Sequence, residues 1–260
     1  MDLWVTVLFS GLCFLTGLAV GSFLNVCIWR LPRGQSVVRP RSRCPRCGQG
    51  IAAGDNIPLV SFLLLRGRCR HCKAPISRRY PAVEALTGTL AVILFLAFGP
   101  TAQAAVLFVL FCLLLVVSLA DLDRMIIPDK VTLPGIVLGL ALNVLLSPRS
   151  IGGFLLGAVV GAAALYGVAI LGELLFKKES MGGGDIKLAA MVGAFVGWRG
   201  VLLSLFFAVL VGAMVGISLM MVGLKKRWEH IPFGPFIALG TVVVVFWGEN
   251  MVNAYLKTFF

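Results

Sequence analysis

Apolar and polar positions divide the chain into eight long apolar segments separated by short polar breaks. The segments run over roughly 4–27, 83–99, 103–120, 131–147, 152–176, 186–198, 200–223 and 233–256. The breaks hold turn residues and charges, as in Gly99-Pro100, Asp121 to Lys130, Lys177 to Asp185 and Trp198-Arg199-Gly200. A helix that crosses the hydrocarbon of a bilayer needs about 20 apolar residues, within a range near 17–25. Seven segments qualify, and 186–198 is expected to be a short, shielded or partly wetted helix. The pattern therefore predicts an all-α polytopic membrane protein with about eight transmembrane helices. Its one long polar stretch, residues 28–82, separates the first helix from the second.

Composition supports this. Of the 260 residues, 59% are hydrophobic and 13% charged, and the mean hydropathy is +0.99. Soluble domains are about 45–50% apolar and about 25% charged. A soluble globular enzyme, a disordered chain and a disulfide-stapled secreted domain are excluded. The first segment lacks a basic leading region and a small-residue cleavage site, so it reads as an uncleaved helix.

Charge then orients the helices. The net charge is +12, and residues 28–82 hold twelve basic residues against the single acid Asp55. Residues 3–29 and 85–120 contain no Asp, Glu, Lys, Arg or His. With 28–82 in the cytoplasm and eight crossings, 20 of the 23 basic residues face inward, including Lys177, Lys178 and the Lys225-Lys226-Arg227 cluster. The positive-inside rule favours that orientation, with both termini outside. Anionic head groups of the inner leaflet would receive the basic loop.

Four of the seven cysteines form Cys44-Pro-Arg-Cys47 and Cys69-Arg-His-Cys72. Each C-x-x-C knuckle offers two thiolates at a bite suited to tetrahedral zinc, and two knuckles complete a closed structural site. Disulfides or free thiols are the other reading, opposed by a reducing cytoplasm. Such a site would stabilise a domain of about 50 residues that cannot bury enough core alone. His71 and His230 are read as bystanders. Cys13, Cys27 and Cys112 read as small buried residues.

Acids beside a membrane are functional candidates. Asp121, Asp123 and Asp129 cluster after the third segment, and Asp185 closes Met181-Gly182-Gly183-Gly184-Asp185 before the sixth. Glycines there admit close backbone approach or unusual conformations. Two carboxylates at one site can share a proton, one activating water while the other polarises a carbonyl. Asp129 also reads as a helix N-cap, and Glu173 as a helical ion-pair partner of Lys177.

Taken in order, these motifs resemble the type IV prepilin peptidase family. The resemblance is carried by Gly21-Ser-Phe-Leu-Asn25-Val-Cys-Ile-Trp-Arg30-Leu-Pro32, the two knuckles, Ile76-Ser-Arg-Arg-Tyr80-Pro81-Ala-Val-Glu84, Asp121 with Ile127-Pro128-Asp129, Met181-Gly-Gly-Gly-Asp185-Ile-Lys187-Leu188, and Pro232-Phe-Gly234-Pro235. It implies a bifunctional enzyme of the cell inner membrane with its catalytic face in the cytoplasm. Such an enzyme removes the basic leader of prepilins and type II secretion pseudopilins, then N-methylates the new terminus with S-adenosylmethionine. Asp121 and Asp185 map onto the catalytic aspartates, and Cys44, Cys47, Cys69 and Cys72 onto the zinc ligands. Gly21, Asn25, Arg30 and Glu84 frame the methyltransferase-associated part without an assigned role. The division expected is 1–27 as the first transmembrane helix, 28–82 as the zinc domain and 83–260 as the peptidase domain.

Two other classes compete: a membrane-anchored zinc ribbon that binds nucleic acid or protein, and a transporter with the aspartates in an ion path. The loop's only aromatics, Trp29, Phe62 and Tyr80, are not regularly interleaved with its charges, which argues against nucleic acid. Acids at the ends of spans rather than within them argue against an ion path. Because the leaders are themselves basic, their recognition would fall to acids such as Asp123 and Asp129.

Overall fold

The computed structural model describes residues 2–177, 181–223 and 230–259. Lys178, Lys225, Lys226 and Arg227, which the orientation argument uses, lie outside them. The described residues form eight α-helices and no strand. Seven helices are long and apolar enough to cross a membrane. The chain divides into two compact units, Met1–Cys112 and Leu113–Phe260.

In the first unit α1 (Leu3–Arg30) runs antiparallel to α3 (Arg79–Phe98) along a seam of small residues. A Cβ on Gly17 would stand 2.7 Å from the Gly88 Cα, and one on Gly21 would stand 2.8 Å from the Glu84 Cα. Only glycine permits that approach, the usual way in which helices associate without a hydrophobic driving force. The outer side of α1 is bare and apolar: Leu3, Trp4 and Leu8 are each more than 70% exposed. Water would penalise such a surface, whereas lipid accepts it. The polar stretch between α1 and α3 carries the short helix α2 (Val60–Leu64) and two tight hairpins marked by single bridges, Arg43 with Gly50 and Arg68 with Pro75. The helix α4 (Ala102–Arg124) runs through the boundary between the units.

The second unit adds α5 (Asp129–Leu146), α6 (Ile151–Phe176), α7 (Gly183–Met221) and α8 (Gly234–Phe259). At about 1.5 Å per residue, the 39 residues of α7 would span nearly twice a hydrocarbon core of about 30 Å. Gly197 breaks it with φ 74° and ψ 177°. The two apolar segments 186–198 and 200–223 thus form one interrupted helix, with its break one residue before the expected Trp198-Arg199-Gly200 gap. The Asn143 amide of α5 donates to the carbonyls of Gly139 at 3.0 Å and Ala194 at 3.1 Å. It thereby supplies a polar partner in the turn before the break, where lipid supplies none.

Leu188, Ala189, Met191, Val192 and Ala194, on the first half of α7, are wholly buried. Helix α6 reaches this half through Gly157 and Gly161. A Cβ on Gly157 would strike the Gly193 carbonyl, and one on Gly161 would lie 2.5 Å from the Ala189 carbonyl.

Two sequence expectations need correction here. Helix α5 begins at Asp129 with Pro128 as its N-cap, so Asp129 does not cap the helix. Its carboxylate instead pairs with Lys187 Nζ at 2.7 Å. Lys177 is the left-handed C-cap of α6. Its backbone N–H, rather than its ammonium, meets Glu173, donating to the carbonyl at 2.8 Å.

Candidate functional site

In the second unit Asp121 stands in the last turn of α4 and Asp185 in the first turn of α7. They lie close enough for the charge of Asp121 to act on Asp185. Asp121 is 5% exposed, and its Oδ2 accepts the backbone N–H of Gly234 at 2.9 Å. Gly234 is the first residue of α8. A Cβ there would sit 2.9 Å from the same oxygen, so glycine is what allows the helix end to reach the carboxylate. Asp185 Oδ1 is buried with no hydrogen-bond partner.

Of the three glycines before Asp185, Gly184 is the one required by space, and none takes a left-handed conformation. Gly182 is the N-cap of α7 with φ −74°, and Gly183 and Gly184 already belong to the helix. A Cβ on Gly184 would lie 2.8 Å from the Ile127 Cβ. The missing side chain thus lets the Ile127-Pro128 segment lie against the helix start. The Asp129–Lys187 pair ties α5 to α7 within one turn of the site. Asp123 is exposed beside Asp121. Asp129, the other acid expected to meet a basic leader, is paired with Lys187.

In the first unit the four cysteines converge. The Sγ atoms of Cys44, Cys47, Cys69 and Cys72 all lie within 4.8 Å of one another, and all four are free thiols. The Sγ atoms of Cys44 and Cys72 stand 3.8 Å apart. Tetrahedral zinc with bonds of about 2.3 Å needs sulfurs about 3.8 Å apart, so the cluster fits that ion.

The two hairpins are built alike. Cys44 N–H donates to the Gln49 carbonyl at 2.9 Å, and Cys69 N–H donates to the Ala74 carbonyl at 2.8 Å. Gly48 (φ 71°) and Lys73 (φ 58°) take the left-handed turn at matching places. The backbone N–H groups of Cys47 and Arg46 pull the Cys44 thiol down to about 6. Those of Cys72 and His71 lower Cys69 in the same way. Knuckle amides aimed at sulfur favour the thiolates that a metal requires. His71 and His230 are exposed and outside the cluster.

The residues framing this unit are all engaged in holding it. Asn25 Nδ2 donates to the Tyr80 carbonyl at 3.1 Å, and Arg30 donates to the Ser36 carbonyl at 3.0 Å. Glu84, buried in α3, accepts the Leu59 N–H at 2.9 Å. Leu59 sits at φ 59°, a conformation costly for a branched residue, so this bond pins a strained corner of the loop. Arg70 of the second knuckle grips Asp55, with Nη2 at 2.6 Å. A cleft of about 290 Å³ opens between α1 and the loop, lined by Ala19, Ser22, Phe23, Val26, Asn56 and Pro58.

Two groups of residues are not among the sequence candidates. The role of Gly234 was hidden because a backbone amide leaves no mark on the sequence beyond the Pro-Phe-Gly-Pro string. Gly157 and Gly161 carried a signal in their spacing of four.

Fold and sites thus define a multi-pass helical membrane protein with a cysteine cluster able to hold a metal and two helix-end carboxylates, one of which acts electrostatically on the other. Residues 15–98 match the bacterial peptidase A24 N-terminal domain, and residues 108–217 match the type IV leader peptidase family. The chain is 39% identical to the prepilin leader peptidase/N-methyltransferase of Aeromonas hydrophila, over 97% of this chain and 95% of that protein. It is 40% identical to the namesake from Stutzerimonas stutzeri, over 95% and 93%. The identity is 47% to that of Myxococcus xanthus, over 82% and 64%. No solved structure matches. The chain belongs to the prepilin leader peptidase/N-methyltransferase family.

Proposed function

We propose that this protein cleaves the basic leader from prepilins or pseudopilins and N-methylates the new terminus, with Asp121 and Asp185 as the catalytic pair of the cleavage step. The observation that supports the reading is that these two carboxylates, one buried and one with a buried oxygen, stand at the ends of two helices near enough for the charge of Asp121 to act on Asp185. Two such groups close together hold one proton between them. The ionised carboxylate takes a proton from water as that water attacks the scissile carbonyl. The protonated partner donates to the carbonyl oxygen and polarises it. Collapse of the tetrahedral intermediate breaks the C–N bond, and the leaving nitrogen takes up the proton held by the first carboxylate.

Cys44, Cys47, Cys69 and Cys72 would hold a structural zinc, with no open position for catalysis. S-adenosylmethionine supplies the methyl group when bound, and no residues of this chain are assigned to it. The enzyme sits in the inner membrane with both sites on the cytoplasmic side, as 28–82 carries +11 of the +12 charge and basic loops stay inside. Residues 28–82 act as the metal domain and 83–260 as the peptidase domain. Lipid head groups contact the basic loop.

The test is cleavage of a purified prepilin in detergent by wild type, Asp121→Asn and Asp185→Asn. Wild type should cut, and each variant should lose at least about a hundredfold in rate. Full cleavage by either variant overturns the pair. No cleavage by zinc-loaded wild type overturns the function.

A further inference from the structure

We infer that the pair is asymmetric before substrate arrives, with Asp121 holding the charge as the general base and Asp185 holding the proton as the general acid. The assignment rests on the proposed reading of these residues as a catalytic pair and adds the division of roles. It is carried by how differently the two carboxylates are solvated by the protein.

Asp121 Oδ2 accepts the Gly234 N–H at 2.9 Å. That group is one of the free amides at the start of α8, where the helix dipole is positive. A backbone N–H aimed at a buried carboxylate stabilises its ionised form. Asp185 Oδ1 has no such donor although it is buried. An ionised oxygen in that position would pay for lost water with nothing in return, whereas a neutral carboxyl tolerates it.

One factor runs the other way. Asp185 lies in the first turn of α7, whose dipole favours its charged form. Asp121 faces the start of α8 in the same way, so the two dipoles offset and the direct N–H bond decides, leaving the proton on Asp185.

The neighbouring charges do not disturb the choice. On α7 the titratable side chain that Asp121 acts on is Asp185. Helix α8 presents a backbone amide there rather than a charge. Asp129 of α5 and Lys187 of α7 neutralise each other. Asp123 and Arg124, on α4 itself, are exposed.

The arrangement sets the order of proton movement. Water loses its proton to Asp121, and the Asp185 proton goes to the carbonyl oxygen. The amide nitrogen then leaves with the proton that Asp121 had taken, and Asp185 recovers its own from the collapsing hydroxyl. The pair ends as it began, with one water consumed and one peptide bond broken.

The experiment is infrared difference spectroscopy of the full-length protein in detergent at neutral pH, reading the protonated-carboxyl stretch. Asp185→Asn should delete that band and Asp121→Asn should retain it. The opposite pattern, or no protonated-carboxyl band in wild type, overturns the assignment. Two companion variants test the amide: Gly234→Ala places a Cβ 2.9 Å from the accepting oxygen, and Gly234→Pro also removes the N–H. As pH falls, the second carboxyl band should appear about one to two pH units higher in Gly234→Pro than in wild type, with Gly234→Ala between them or equal to proline. Wild-type onsets in both variants overturn the role of Gly234. The spectra are independent of turnover, so failure of the peptidase reading, seen as cleavage by both Asn variants, is a separate result.

Discussion

The two units hold their chemistry by opposite means. In Met1–Cys112 the cysteine cluster is assembled from two short hairpins, and the first ligand of each is met by amides within its own knuckle. In Leu113–Phe260 the aspartates are far apart in sequence, and three helix ends carry them and the Gly234 amide into place. A local site can be written into a few adjacent residues and needs a metal to hold it. A site made of helix ends needs the helices themselves to approach closely, which here falls to glycines. The first should fail when its ions are removed, the second when its glycines are filled.

The largest effect follows from breaking the cluster. Structural zinc sites contribute on the order of 10 kcal/mol to the folding of small domains. Cys44→Ser should therefore abolish stoichiometric metal, measured by plasma mass spectrometry. It should also open residues 39–79 to trypsin while the helices of the second unit stay folded. Retained metal would show that the four thiolates are not its ligands.

Filling the glycine seam comes next. Gly157→Ala forces a methyl into the Gly193 carbonyl and should lower stability by about 1–3 kcal/mol, read from thermal unfolding in detergent. Gly167, also on α6, has nothing within 4 Å of an added Cβ. Gly167→Ala should be neutral or slightly stabilising. Equal losses at both positions would remove the packing argument.

The loop's ion pair should show in its pH response. Hydrogen bonding from Arg70 holds the Asp55 carboxyl below its ordinary value of 3.8. Its contribution is therefore complete above about pH 4 and is lost as pH falls through the lower folded value. In metal-loaded protein, Asp55→Asn should raise the rate of trypsin cleavage of the loop at neutral pH. The difference from wild type should hold constant between about pH 8 and about pH 5, where Asp55 stays ionised and the thiolates keep the metal. A difference that grows on acidification would give the shift the wrong sign.

The smallest effect is assigned to Asp129. Its pair with Lys187 is half exposed, and such pairs contribute about 0–1 kcal/mol. Asp129→Asn should move the melting temperature by no more than a few degrees, and cleavage of a basic leader should persist. Complete loss of cleavage would return Asp129 to leader recognition.

How much of this could be read from the sequence follows the same division. The knuckles were legible because their ligands lie three residues apart and their purpose is chemical. The helices were legible as apolar runs, but 186–198 and 200–223 join into α7 with a break at Gly197, because hydropathy does not register a change of backbone angle. Asp129 carried a capping pattern, yet its partner is Lys187, 58 positions away, and no local pattern contains that pair. Gly182 to Gly184 announced a special place without saying whether freedom or space was needed. Only the approach of Ile127 decides for space. Asp121 and Asp185 were singled out as acids at membrane edges, and the resemblance of their motifs, rather than periodicity, paired them.

The central claim is that one chain removes the leader with two aspartates and then methylates the product. Its most direct measurement is the intact mass of a prepilin after incubation with zinc-loaded enzyme and S-adenosylmethionine. Wild type should yield the leaderless chain carrying one added methyl, and Asp185→Asn should return only the full precursor. A leaderless product from Asp185→Asn would contradict the account.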